Sequence, residues 1–138
     1  MRELVAAMLF AYAATGAPCG SALSFEYGSA GEIKGVNKVF INVGPEITMR
    51  NEMAGQLERE VPGLKVTDHA EDAEAVIAIV PDNDPDITHF IVYRPLTEGK
   101  ARILFEQKST ASRIQSLKPH MKFARMFVDE YRKANAAR

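Results

Sequence analysis

The residues able to do chemistry are few and scattered. The three histidines, His69, His89 and His120, fall in three different segments. No two of them have the spacing that sets a pair of metal ligands on one helix face. Asp82-x-Asp84-x-Asp86 matches the opening of a calcium loop. A helix–loop–helix calcium site then needs glycine at its sixth position and glutamate at its twelfth. Those places hold Ile87 and Tyr93, and Pro85 stiffens the middle, so the run reads as a turn between strands. His69 has Asp68, Glu71 and Asp72 beside it, as a solvated polar turn would. His120 falls in the first turn of a helix, where the dipole disfavours an imidazolium. Glu46 and Arg50 stand one helical turn apart and can pair at the surface.

The familiar catalytic signatures are missing. There is no Gly-x-Ser-x-Gly elbow, no phosphate-cradling glycine loop and no dinucleotide fingerprint. Gly44-Pro45 has too few glycines to wrap a phosphate. The single cysteine, Cys19, lies so near the start that the main body has no disulfide and no thiol chemistry. These features lean against an enzyme and imply no cofactor and no bound metal. A hydrolase-like enzyme with a concealed site is the alternative.

Charge is more informative. Residues 23–90 hold five Lys/Arg against thirteen Asp/Glu, a net −8, and residues 91–138 hold eleven against four, a net +7. Such asymmetry points to an interaction surface. Lys118, Lys122, Arg125, Arg132 and Lys133 all fall opposite the apolar stripe of the last helix. They are the candidate site for an anionic partner, a lipid or polysaccharide of a cell envelope; an envelope protein is the other partner considered, and nucleic acid is not. The competing expectation is that the two halves interleave in one sheet and neutralise each other.

The elements that must position these residues follow from periodicity. Residues 38–43 (KVFINV) alternate as a strand, with Phe40 on a partly covered second face. Gly44-Pro45 breaks it, and a helix follows with Ile47, Ala54, Leu57 and Val61 on one stripe and Met53 at its edge. The Arg50 stem packs on that stripe and its head reaches water. Pro62-Gly63 stops the helix. Residues 64–67 make a short edge strand, and 68–72 a polar turn or single helical turn. Residues 73–80 (AEAVIAIV) are apolar on both faces, as in a central strand covered twice. Two more strands, 88–94 and 101–107, are joined by a hairpin loop with Gly99 at its end. Residues 108–118 are polar and irregular. The last helix runs from Pro119 to about Asn135 on a stripe of Phe123, Met126, Phe127, Tyr131 and Ala134.

The first 22 residues stand apart. Arg2, the apolar run 4–14 (LVAAMLFAYAA) and Gly20-Ser21-Ala22 together describe a secretory signal peptide cut before Leu23. The competing expectation is a buried first helix. Lipid attachment at Cys19 fits poorly, because Gly16-Ala17-Pro18 lacks the leucine-like residue that motif places first. The run is short for a bilayer span, so the mature chain has no transmembrane segment and is periplasmic or secreted.

Residues 36–133 resemble small exported bacterial envelope domains, some like the lipopolysaccharide-assembly lipoprotein and some like periplasmic domains of the Tol type. The resemblance is carried by KVFINV, DHAEDAEAVIAIV and MKFARMFVDEYRKA. It implies an envelope location and transfers no functional residue.

The expected architecture is α/β, bordering on α+β. It is a two-layer sandwich with a mixed sheet of about five strands and two helices on one face, in the order β-α-β-β-β-β-α. The organisation is signal peptide 1–22, flexible linker 23–36 and one domain 37–138. Residues 73–80 lie beside 38–43, and the last two strands extend the sheet as an antiparallel meander. The function that follows is non-enzymatic binding of a protein or an anionic envelope component. Apolar residues on both sheet faces (Phe40, Leu104, Tyr93) make a homo-oligomer subunit a further alternative. The scattered histidines and incomplete calcium loop predict a melting temperature unchanged by a chelator or by added calcium or zinc. A clear upward shift with either ion would reveal converging ligands.

Overall fold

The apolar run that continues on both faces becomes the fourth of six strands, deep inside the sheet. The computed structural model describes residues 24–44, 46–84, 87–96, 99–110 and 119–136. Six strands are formed: β1 (Ser24–Tyr27), β2 (Lys38–Asn42), β3 (Lys65–Thr67), β4 (Ala75–Pro81), β5 (Ile87–Pro95) and β6 (Lys100–Thr110). Two helices accompany them, α1 (Ile47–Glu60) and α2 (Pro119–Ala136). The strand order is β1-β6-β5-β4-β2-β3. β2 pairs parallel with β3 and β4, and β1 parallel with β6. β4, β5 and β6 form the antiparallel meander. The α/β class and both helices on one face are as expected.

Why the strand run 75–80 is central is clear from its two side-chain sets. Ala75, Ile77 and Ile79 join the core under the helices, together with Val39, Ile41, Met53, Leu57, Phe90, Val92, Phe123 and Phe127. Val76, Ala78 and Val80 join a second core on the other face, with Ile91, Tyr93, Ala101 and Ile103. Period-two alternation forces that division. Pairing shifts between Val92↔Phe105 and Tyr93↔Ile103, leaving Leu104 as the extra residue of a β-bulge. The bulge turns both Leu104 and Phe105 toward the helices. Phe40 and Tyr93 therefore belong to the second face, and Leu104 does not.

Two expectations are corrected. Residues 23–36, expected to be a flexible linker, contain β1 and a 3-10 turn (Ala30–Ile33), and Ile33 and Val36 are buried in the main core. The ordered domain thus includes Ser24, and the sheet has six strands where about five were expected. Ile47, expected on the buried stripe of α1, is 68% exposed. The helix begins at Ile47, so this residue sits in a first turn beyond the edge of the core. Met53 and Leu57 take the central places, and Gln56 is buried beside them. Gly63, with φ of +92°, adopts the left-handed conformation that ends α1.

α2 is held as its stripe implied. Phe123, Ala124, Phe127, Val128 and Ala134 are buried, while Met126 and Tyr131 pack at the margin. Phe123 stacks on Phe90 with ring centroids 4.8 Å apart. Phe127→Ala should lower the free energy of unfolding by about 3–5 kcal/mol, whereas Ile47→Ala should change it by less than about 0.5 kcal/mol. Denaturant titration of the two variants checks this contrast, and equal losses would mean the helix faces are wrongly assigned.

Candidate anionic-partner interface

The outer face of α2 is built by the same periodicity that buries its inner face. Burying Phe123, Phe127 and Ala134 leaves Lys122, Arg125, Arg132 and Lys133 in solvent, with Asp129 as the one fully exposed acid among the described residues of the helix. Lys118, the fifth residue of the candidate site, lies outside the described residues. The helix is anchored at both ends of its contact with α1. His120 Nε2 donates to Glu52 at 2.8 Å near the start, and Arg132 donates to the Glu60 carbonyl at 3.1 Å near the end. The Tyr131 hydroxyl donates to the Val36 carbonyl at 2.7 Å, tying the helix to the segment after the 3-10 turn. Lys133 stands 3.6 Å from Glu130. Lys122 and Arg125 form no ion pair among the described residues. Arg132 keeps its charge uncompensated, because its partner is a neutral carbonyl.

The acidic half of the chain meets the basic half elsewhere. β6 lies between β1 and β5, so the halves do interleave in one sheet. Arg102 pairs with both Glu26 and Glu32, with Nε–Oε1 2.7 Å for Glu32, and Arg94 donates to the Glu32 carbonyl at 2.9 Å. The Arg102 hydrogen bonds hold the Glu32 carboxyl down at about 2, against an ordinary 4.5. Asp82 does not fold over the cations of α2. It follows Val80 on the second sheet face, where its carboxylate lies 3.4 Å from His89 Nε2. Asp86 lies outside the described residues.

The structure thus gives two histidines a carboxylate that spacing alone did not reveal. His120 with Glu52 sits among the helices; His89 with Asp82 sits on the opposite face of the sheet, and both rings are buried. Neither ring is hydrogen-bonded to a hydroxyl or thiol among the described residues, so neither pair has the nucleophile that a triad requires. His69 is exposed, 3.8 Å from Glu71, as a polar turn implied. Arg50 pairs with Asp68 rather than with the Glu46 side chain. A shallow depression of about 340 Å³ lies between Lys34, Gly35, Glu74 and Arg94. Its polar groups are already engaged, since Glu74 accepts the Asn37 and Lys38 backbone N–H groups at 2.6 and 3.0 Å. Among the described residues no group of three or more His, Cys, Asp and Glu is placed to hold a metal ion. No helix among them is long and apolar enough to cross a membrane.

Compared with family models, curated proteins and solved structures, the chain matches none.

The Glu32 carboxyl gives the acid response a sign. Its folded pKa lies below its unfolded value, so its contribution is fully present above about 4.5 and is lost as pH falls toward about 2. Glu32→Gln should therefore lower stability at neutral pH and flatten its decline across that acid window. Stability measured by denaturant at several pH values checks this; an unchanged slope would mean Arg102 does not hold Glu32 ionised.

Proposed function

We propose that the chain is a non-enzymatic binding domain that engages an anionic surface or polymer, such as lipid headgroups or an acidic polysaccharide, through α2. One observation carries this reading. Lys122, Arg125, Arg132 and Lys133 stand together in solvent on a helix whose opposite side is fixed to the sheet by Phe123 and Phe127. A cation near an anionic membrane contributes about 1 kcal/mol, so four such groups give binding that is weak but measurable. Asp129 on the same face subtracts from the field. The attraction is screened beyond a Debye length of about 8 Å at physiological salt.

The expectation of an exported protein rests on residues 1–22 and is separate from this reading, which is the same whether that segment is removed or kept. The enzyme alternative has less support, because the two His–carboxylate pairs lie on opposite faces of the sheet and lack a nucleophile.

Vesicles of anionic lipid should co-sediment the protein at low salt and release most of it at physiological salt. Replacing Lys122, Arg125 and Arg132 together by glutamine should abolish the binding with an unchanged circular dichroism spectrum. No binding at either salt would overturn the proposal, as would binding that survives the triple substitution.

A further inference from the structure

Both helices pack on one face of the sheet, yet the other face is equally dry. Val76 is 1% exposed, Val80 and Ile91 0%, and Ile103 2%. Every described member of this second core is a strand residue: Phe25 of β1, Phe40 of β2, and side chains of β4, β5 and β6. Side chains stand roughly perpendicular to a sheet, so neighbouring strands alone do not close their tips from water. Burial also pushes the Tyr93 phenol up to about 12. The cover therefore comes from chain outside the described residues.

Two stretches are long enough to consider. Residues 111–118 must return from the end of β6 to the start of α2 on the helix side, and they carry Arg113, Lys118 and three hydroxyl-free or polar turns of chain with a single isoleucine and leucine. Residues 1–23 instead carry eleven consecutive apolar residues. They end at β1, which runs beside β6 at the edge of the second face with Phe25 already packed upon it. Eleven residues in a helix extend about 16 Å, and the four strands β6, β5, β4 and β2 span about 14 Å between their outer axes. Val5, Met8, Leu9 and Tyr12 fall at the spacing of one helical stripe.

We propose that the apolar segment 4–14 lies across the second sheet face, over Val76, Val80, Ile91 and Ile103, and is the missing half of this domain's core. The segment is then a retained structural element, in place of the removable leader that its composition suggests. Cutting the chain before Leu23 would leave a large apolar sheet face in water, and such a face demands another cover. The inference is independent of the binding reading for α2.

The test uses the full chain with Cys19→Ser and Met8→Cys, a nitroxide being attached at position 8. The label should broaden the methyl signals of Val80, Ile91 and Ile103 much more than those of Met53 and Leu57, and reduction of the nitroxide should restore them. In the unsubstituted chain, ring protons of Phe10 or Tyr12 should show cross-relaxation with the Ile91 or Ile103 methyls, so a folding defect of the labelled variant leaves the proposal testable. Absence of both effects would overturn it. So would broadening found only between molecules in a mixture of spin-labelled and isotope-labelled chains, which would make the occupant a second copy. An exported chain that begins at Leu23 and remains a folded monomer would overturn it as well.

Discussion

The structure depends on keeping β4 dry on both sides. Its side chains alternate without a polar interruption, Ala75, Ile77 and Ile79 toward the helices and Val76, Ala78 and Val80 away from them. Burying an aliphatic side chain contributes about 1.5–3 kcal/mol. Exposing Val76, Val80, Ile91 and Ile103 together would thus cost on the order of 10 kcal/mol, comparable to the whole stability of an ordinary domain at about 5–15 kcal/mol. A sheet with this sequence cannot leave either face in water. The helices satisfy one side, and the proposed packing of segment 4–14 satisfies the other.

The edges of the sheet are fastened by different means. β3 is only three residues long, and its neighbourhood is secured when Arg50 of α1 reaches Asp68. At the opposite edge β1 is four residues long and has one apolar side chain in the second core. Arg102 of β6 draws Glu26 of β1 and Glu32 of the 3-10 turn to itself. That ion cluster joins the acidic first half of the chain to the basic second half. It leaves the outer cations of α2 uncompensated, so interleaving and a residual cationic face coexist.

What the sequence displays and what it conceals divide along local and non-local lines. Strand β4, the meander and the stripe of α2 are legible because each is written in consecutive residues at a fixed period. The pairing of β1 is concealed, because Ser24 finds its partner at Lys100 and the segment SFEY has too little apolar pattern to show a strand. Ile33 and Val36 look like parts of a glycine-rich linker until Arg102 and Tyr131, far along the chain, hold that segment against the core. The inclusion of Ile47 in the buried stripe of α1 fails because periodicity gives the face and not where the core ends. The cationic site is legible as a helix face, although Asp129 on that face and the Glu130 partner of Lys133 weaken it. The partners of His120 and His89 are not legible from spacing: Glu52 lies on another helix, and Asp82 reaches His89 only because β4 and β5 pair across their hairpin.

The dryness of both sheet faces can be measured in a single experiment on the full chain. A soluble, inert paramagnetic chelate relaxes the methyl groups that solvent can approach. If the sheet is covered twice, the methyls of Val76, Val80, Ile91 and Ile103 will be as protected as those of Met53 and Leu57, while that of exposed Ile47 relaxes strongly. Strong relaxation of the Val80 and Ile91 methyls, with Met53 and Leu57 still protected, would contradict the account by showing a sheet covered on one face only.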